Sequence, residues 1–149
     1  MVTRQRGLSL IEMMVTLTVM MLLAMGAAPF SSGWANQAAV NQSNALLRQG
    51  MGQLKALALR NPGAVAGSAA SAVLISVPGK LCLQAELPAP LDCTGAAWSA
   101  TPPASISIAG ATSQCIALAS TGIVLAGLGC STSLSYHIAR GQESFDGTL

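Results

Sequence analysis

The sequence has little charge, few aromatic side chains and only one histidine. Asp, Glu, Lys and Arg together make up 8% of its 149 residues, and Phe, Trp and Tyr make up 3%. With so few aromatic side chains, a hydrophobic core has to be built mainly from Leu, Ile, Val and Ala. Such a core is thin, and small domains of this kind often need covalent cross-links for stability.

The charges that are present do not favour nucleic acid as a partner. The net charge of +2 comes from seven cations and five acids. Two of the cations, Arg4 and Arg6, precede the first acid, so the rest of the chain carries 7 − 2 = 5 cations and five acids. Its net charge is therefore zero, whereas binding to nucleic acid requires several basic side chains on one surface.

Catalytic and metal-binding motifs are missing from the sequence. The single histidine, His137, lies in a segment with strand-like alternation and has no acid close to it in the sequence. No Gly-x-Ser-x-Gly elbow, phosphate-binding loop or calcium loop occurs. Glu86 and Asp92 flank a proline-rich loop and could form a carboxylate pair, but solvation of the loop is the simpler interpretation. The sequence therefore predicts no enzyme activity, no cofactor and no metal site.

An apolar run of about 21 residues, Leu8 to Ala28, follows the two N-terminal arginines. Its length is close to the roughly 20 residues with which a helix crosses a bilayer. The run contains one charged residue, Glu12, and a charge at membrane depth is costly, which suggests a function for it. Arg4 and Arg6 predict a cytoplasmic N-terminus. A secretory signal peptide cleaved near Ala28 and a plain membrane anchor are the alternatives.

The residues Gly7-Leu8-Ser9-Leu10-Ile11-Glu12-Met13-Met14-Val15 resemble the cleavage and methylation motif of type IV prepilins and type II secretion pseudopilins. The resemblance implies that a prepilin peptidase cuts between Gly7 and Leu8 and that the new amino group of Leu8 is N-methylated. It further implies that Glu12, the fifth residue after the cut, acts in assembly, and that Pro29 kinks the following helix. Leu8 departs from the family, in which phenylalanine is commoner at this position.

The same resemblance implies an α+β, pilin-like fold. In this fold an N-terminal α-helical spine, embedded in the membrane over its first half, carries a small antiparallel β-sheet on its distal half. Residues 1–7 are then a leader peptide, 8–29 the transmembrane and filament-core helix, 30–61 the amphipathic half of the spine, and 62–149 the globular domain.

The resemblance also implies the partners and the location of the chain. The implied partners are the prepilin peptidase and methyltransferase, the pilus or secretion assembly platform, other pilin or pseudopilin subunits, and the inner membrane. The implied location is the bacterial inner membrane, with the C-terminal domain in the periplasm, and then an extracellular or periplasm-spanning filament.

Beyond Phe30 the sequence predicts a polar amphipathic helix. Leu47, Met51 and Leu54 recur at the spacing of one helical face. Asn61-Pro62-Gly63 predicts the end of the helix, because a residue that precedes proline avoids helical geometry. Interruptions of the helix are expected at Pro29 and Gly33, and further weak points at Gly50 and Gly52.

After residue 71 the apolar pattern changes to a period of two, which is typical of strands. A hairpin is predicted at the turn Pro78-Gly79, and a tight turn at residues 120–122. A loop is expected over residues 87–103 and a polar tail over residues 141–149. Short antiparallel strands are predicted at residues 72–77, 81–85, 105–109, 114–119, 123–126 and 134–139.

The four cysteines are Cys82, Cys93, Cys115 and Cys130. An even number of cysteines in an exported domain predicts two disulfides, for which three connectivities exist. The pairs Cys82–Cys93 and Cys115–Cys130 are favoured because each flanks one loop. A zinc site is the competing hypothesis, but the sequence contains no Cys-x-x-Cys pair. The second pair would resemble the C-terminal disulfide loop that many pilins carry.

Within the family, the sequence favours a minor pilin or an H-type-like pseudopilin over a major pilin. The chain differs from the usual major-pilin sequence after the anchor, and Arg48, Lys55 and Arg60 followed by Asn-Pro resemble the minor group. The alternative function is that of a DNA-binding minor pilin in natural transformation, with Lys80 and Arg140 as candidate contacts. Two cations are few for phosphate binding, so this alternative ranks second.

Overall fold

The computed structural model describes residues 9–149, apart from the side chains of residues 27–32. The chain divides into two compact units, Met1–Ala35 and Asn36–Leu149. In the described part, one helix precedes seven strands: α1 (Leu10–Arg60), β1 (Ala72–Val77), β2 (Lys80–Gln84), β3 (Trp98–Ala100), β4 (Ser105–Ile108), β5 (Gln114–Leu118), β6 (Ser135–Arg140) and β7 (Glu143–Thr148). This is an α+β architecture with antiparallel sheets, as the sequence predicted.

Helix α1 ends where Asn61-Pro62 predicted its end. Asn61 adopts a φ of 45°, in the left-handed region that commonly follows the last helical residue. Its amide donates to the Leu57 carbonyl at 3.1 Å, and its side chain exchanges two 2.9 Å hydrogen bonds with the backbone of Val65. The helix is continuous at Gly33, where an interruption was expected. The Pro29 side chain lies outside the described part, so its kink stays a prediction.

The first sheet has the strand order β3-β2-β1-β5. Strands β1 and β2 form the hairpin predicted at Pro78-Gly79, with Val77 opposite Lys80. Gly79 has a φ of 74°, which explains why glycine occupies the second turn position. Strand β5 pairs with the other side of β1, so β1 is the central strand of the apolar part of this sheet.

The second sheet has the strand order β4-β6-β7. Strands β6 and β7 form a hairpin in which Arg140 lies opposite Glu143 across the two-residue loop Gly141-Gln142. The φ of Gly141 is 61°, and glycine at the first position of a two-residue hairpin loop favours such a turn. Both outer strands, β4 and β7, pair only with β6 within the described sheet.

The main core of the second unit lies between α1 and the sheets. The helix contributes one buried stripe, whose spacing of three, four or seven residues follows the helical repeat: Val40, Leu47, Met51, Leu54 and Ala58. Leu74 and Ile116 of the first sheet and Ile108 and Ile138 of the second belong to the same cluster. The Ser43 hydroxyl also accepts a 3.0 Å hydrogen bond from the Ala104 amide, which fixes the helix to the segment before β4.

The first sheet is buried on both faces. Alternate residues of β1 and β5 form a second cluster, in which Val73, Ile75 and Ala117 are fully buried. Leu87 and Leu91 from the loop after β2 pack against this cluster, as do Leu125 and Leu128 from the segment after β5. The loops therefore act as a third layer over the sheet face that does not contact the main core.

Three sequence predictions about the strands are wrong. Residues 123–126 form no strand, and Val124 makes only an isolated bridge to Leu118. The expected loop contains strand β3, which is held by pairing between Trp98 and Leu83 of β2. The expected polar tail contains strand β7, in which Phe145 lies opposite Ile138 of β6. In both missed strands the partner strand supplies the stability that a weak local pattern lacks.

Candidate functional site

The described part of the N-terminal signal begins at Ser9, which initiates α1. The amides of Glu12 and Met13 donate to the Ser9 carbonyl at 3.0 and 3.2 Å. Glu12 therefore lies in the first helical turn, where the positive end of the helix dipole favours a carboxylate. Its side chain is exposed. Gly7 and Leu8, the predicted cleavage site, lie outside the described residues, so processing there stays a prediction.

The first part of α1 presents apolar side chains to solvent on every side. All residues from Ser9 to Gly26 are exposed, and the exposure of the large apolar ones ranges from 49% for Val19 to 80% for Leu10. A helix that is apolar over its whole circumference requires an apolar environment. Among the residues that the structure describes, no helix has the length and hydropathy needed to cross a membrane.

The four cysteines form the two disulfides Cys82–Cys93 and Cys115–Cys130, the pairing that the sequence favoured. Cys82 and Cys115 are buried in the second cluster, and their partners lie in the loops that cover it. The disulfides thus attach these loops to β2 and β5. Within residues 9–149, no group of three or more His, Cys, Asp or Glu side chains is arranged to hold a metal ion.

Lys80 and Arg140, the candidate DNA contacts, lie in different sheets. Lys80 begins β2 in the first sheet, whereas Arg140 ends β6 in the second. The Arg140 guanidinium donates to the Pro103 carbonyl. This hydrogen bond ties the β6 end to the segment before β4, so Arg140 has a structural role that does not require a phosphate.

The structure pairs His137 with an acid that the sequence pattern did not indicate. The Nδ1 atom of His137 lies 2.8 Å from Oδ1 of Asp146, its cross-strand neighbour in β7. The Gly141-Gln142 turn was the available signal for this hairpin. Asp92, by contrast, uses both carboxylate oxygens on Thr94, at 3.1 and 3.3 Å, so it serves a local turn. The second acid of the hypothesised pair, Glu86, is exposed.

The comparison with known families finds a match at the N-terminus. Residues 2–28 match the family model of the prokaryotic N-terminal methylation motif. No curated protein and no solved structure matches the chain. The matched segment includes the predicted cleavage site, Glu12 and the exposed apolar part of α1. The chain therefore carries the N-terminal methylation signal of type IV prepilin-like proteins, as the sequence predicted.

Proposed function

We propose that the chain is a minor pilin or pseudopilin, a structural subunit of a type IV pilus or a type II secretion pseudopilus. The observation that carries this proposal is the coincidence of the methylation motif, matched at residues 2–28, with an exposed and largely apolar helical segment at residues 9–26. Such a surface is stable in lipid or against the apolar helices of other subunits. A subunit that moves from membrane to filament meets these two environments in turn.

The second unit supports a structural role for the chain. It combines an amphipathic helical stripe with two antiparallel sheets and two disulfides. A disulfide-linked domain fits an oxidising compartment such as the periplasm. We propose that residues 8–29 anchor the precursor in the inner membrane and later form the filament core, with the second unit outside the cytoplasm.

Glu12 is proposed to direct assembly. Its exposed carboxylate lies within the apolar segment, where burial without a partner is costly. Cleavage after Gly7 would remove Arg4 and Arg6 and create a new amino group at Leu8. The amino group of a neighbouring subunit could then pair with Glu12 and favour insertion in one register. Idle solvation of Glu12 among lipid head groups is the competing explanation.

One experiment on membranes and sheared filaments tests processing and assembly together. Intact mass spectrometry of the membrane form should show loss of Met1–Gly7 and one added methyl group on Leu8. Glu12→Ala and Glu12→Gln should be cleaved and inserted normally but should be depleted from filaments. A mass that corresponds to cleavage after Ala28 would refute the prepilin proposal, and normal filament levels of Glu12→Ala would refute the pairing role.

A further inference from the structure

The Lys and Arg side chains of the second unit lack acidic partners among the residues that the structure describes. Among the described side chains, the one contact between a basic and an acidic group joins His137 and Asp146. None of the five Lys and Arg side chains therefore lies within 4.0 Å of a described carboxylate oxygen. Three of these cations lie on the last part of α1, at Arg48, Lys55 and Arg60. Unpaired cations along one helix are available for groups outside the chain.

Arg48 is held in place by a buried tyrosine. Tyr136 is 3% exposed, and its hydroxyl donates to Asn44 Oδ1 at 2.8 Å. The Arg48 guanidinium donates to the same Asn44 oxygen at 3.2 Å and to the Tyr136 hydroxyl at 3.4 Å. Gly147 makes this arrangement feasible, because a Cβ there would lie 2.5 Å from the tyrosine oxygen. Of the five N–H donors of a guanidinium, 5 − 2 = 3 are left for a ligand.

Arg48 and Lys55 line a groove between α1 and the end of β7. The groove, of about 250 Å³, is further lined by Met51, Gly52, Thr148 and Leu149, and we refer to it as the basic groove. Residues four and seven positions after Arg48 share its helical face, so Gly52 lies between the two cations. A Cβ at Gly52 would meet no atom within 4 Å. The missing side chain therefore leaves a recess between two positive charges.

We propose that the basic groove receives the carboxylate of an Asp or Glu side chain from a neighbouring pilin-like subunit. This inference rests on the proposed function, because it needs a neighbour in a filament. A carboxylate accepts two parallel hydrogen bonds from a guanidinium, and the adjacent ammonium of Lys55 adds a second positive charge. The chain displays such a group itself at Glu86, which is exposed on a loop closed by a disulfide.

The lining of the groove favours a protein carboxylate over a phosphate of DNA or lipid. Met51 and Leu149 give the groove an apolar part that suits the stem of an acidic side chain. DNA binding draws on several cations along one surface, whereas two line this groove. The two candidate DNA contacts, Lys80 and Arg140, are not among the residues that line it.

Carbodiimide cross-linking of sheared filaments tests the proposal. The reagent activates a carboxyl group and condenses it with a lysine amine, so that an amide forms and the elements of water pass to the reagent. We expect peptide mapping to find Lys55 joined to an Asp or Glu of another subunit with a methylation motif. If the joined peptide belongs to this sequence, filaments with mixed isotope labels should show that the link is between two molecules.

Three variants control the experiment. Lys55→Gln should lose the link and lower filament recovery, while Lys80→Gln, which removes an exposed cation outside the groove, should retain both. Gly52→Leu keeps both charges but fills the recess, and it should also lower recovery and change the link. A Cβ at Gly52 would meet no atom within 4 Å, so the backbone there accepts a side chain, and urea unfolding of Gly52→Leu checks that the fold is kept.

The outcomes separate this proposal from the proposed function. Absence of the chain from filaments refutes the proposed function, and the link is then sought in membranes, where its absence refutes the groove as well. If Lys55→Gln and Gly52→Leu are both recovered in filaments at normal levels, and the wild-type protein shows no link at Lys55, the groove proposal alone is refuted. If Lys55→Gln instead abolishes binding to DNA or to vesicles containing phosphatidylglycerol and no link forms, the ligand is a phosphate and the carboxylate assignment is wrong.

Discussion

Removal of the disulfides tests whether the loops over the first sheet stabilise the second unit. The paired cysteines are 11 positions apart in Cys82–Cys93 and 15 apart in Cys115–Cys130. For loops of these lengths, the chain-entropy model gives a stabilisation of about 3 kcal/mol each. We therefore expect the free energy of unfolding to fall by about 3 kcal/mol in Cys115→Ala/Cys130→Ala, and by a similar amount in Cys82→Ala/Cys93→Ala.

The structure also predicts that the two losses are not additive. Leu87 and Leu91 from one loop and Leu128 from the other line a shared cavity above Cys115. When one loop is released, the other loses part of the apolar surface against which it packs. The loss of unfolding free energy in the variant that lacks both disulfides should therefore be smaller than the sum of the losses in the two single-disulfide variants, by about 0.5 kcal/mol or more.

The assay is urea unfolding of the full chain in detergent, followed by the fluorescence of Trp98. A Trp34→Phe background removes the other tryptophan, which is 81% exposed and would report the solvent instead. Reduced wild-type protein serves as the control for loss of the bonds without substitution. A decrease below about 1 kcal/mol for either pair would contradict the expected stabilisation. Strict additivity would contradict the expected coupling between the two loops.

Two further predictions concern α1. Gly50→Ala places a Cβ 3.2 Å from the Trp98 ring. We expect this crowding to cancel the gain of about 1 kcal/mol in helix propensity and to shift the Trp98 fluorescence emission. The control Gly52→Ala, where a Cβ meets no atom within 4 Å, should keep the gain. Leu54→Ala removes a fully buried side chain and should lower the free energy of unfolding by roughly 2 to 5 kcal/mol. Leu22→Ala, at a 70% exposed position, should leave the free energy of unfolding unchanged and lower filament recovery. Equal effects of the last two substitutions on unfolding would contradict the assignment of Leu54 to the core.

The features that the sequence predicted well have local causes. The helix ends after Arg60 because Asn61 precedes proline and tolerates a positive φ. The first hairpin forms at Pro78-Gly79 because both residues fit one turn type. The disulfides join cysteines that are near in sequence, so the pairing required no knowledge of the fold. The methylation motif is likewise a contiguous segment.

The features that the sequence failed to predict depend on distant contacts. Strand β3 has three residues and forms through its pairing with β2 and the packing of the Trp98 ring against Gly50. The basic groove requires Gly147 to admit Tyr136, which in turn holds Arg48, although these residues are far apart in sequence. From the sequence, Gly50 was expected to weaken the helix. Contact with an aromatic ring gives that residue a packing role instead.

The two hydrophobic patterns of α1 separate folding from assembly. Between residues 40 and 58 the buried residues recur once per turn, so one stripe suffices to pack against the sheets and the opposite face stays polar. Between residues 10 and 25 apolar residues occupy nearly every position and remain exposed. Under the proposed function, lipid or other subunits bury the second pattern, at about 25 cal/mol per Å² of apolar surface removed from water. We therefore expect the core stripe to determine whether the second unit folds, and the apolar segment to determine where the folded chain resides.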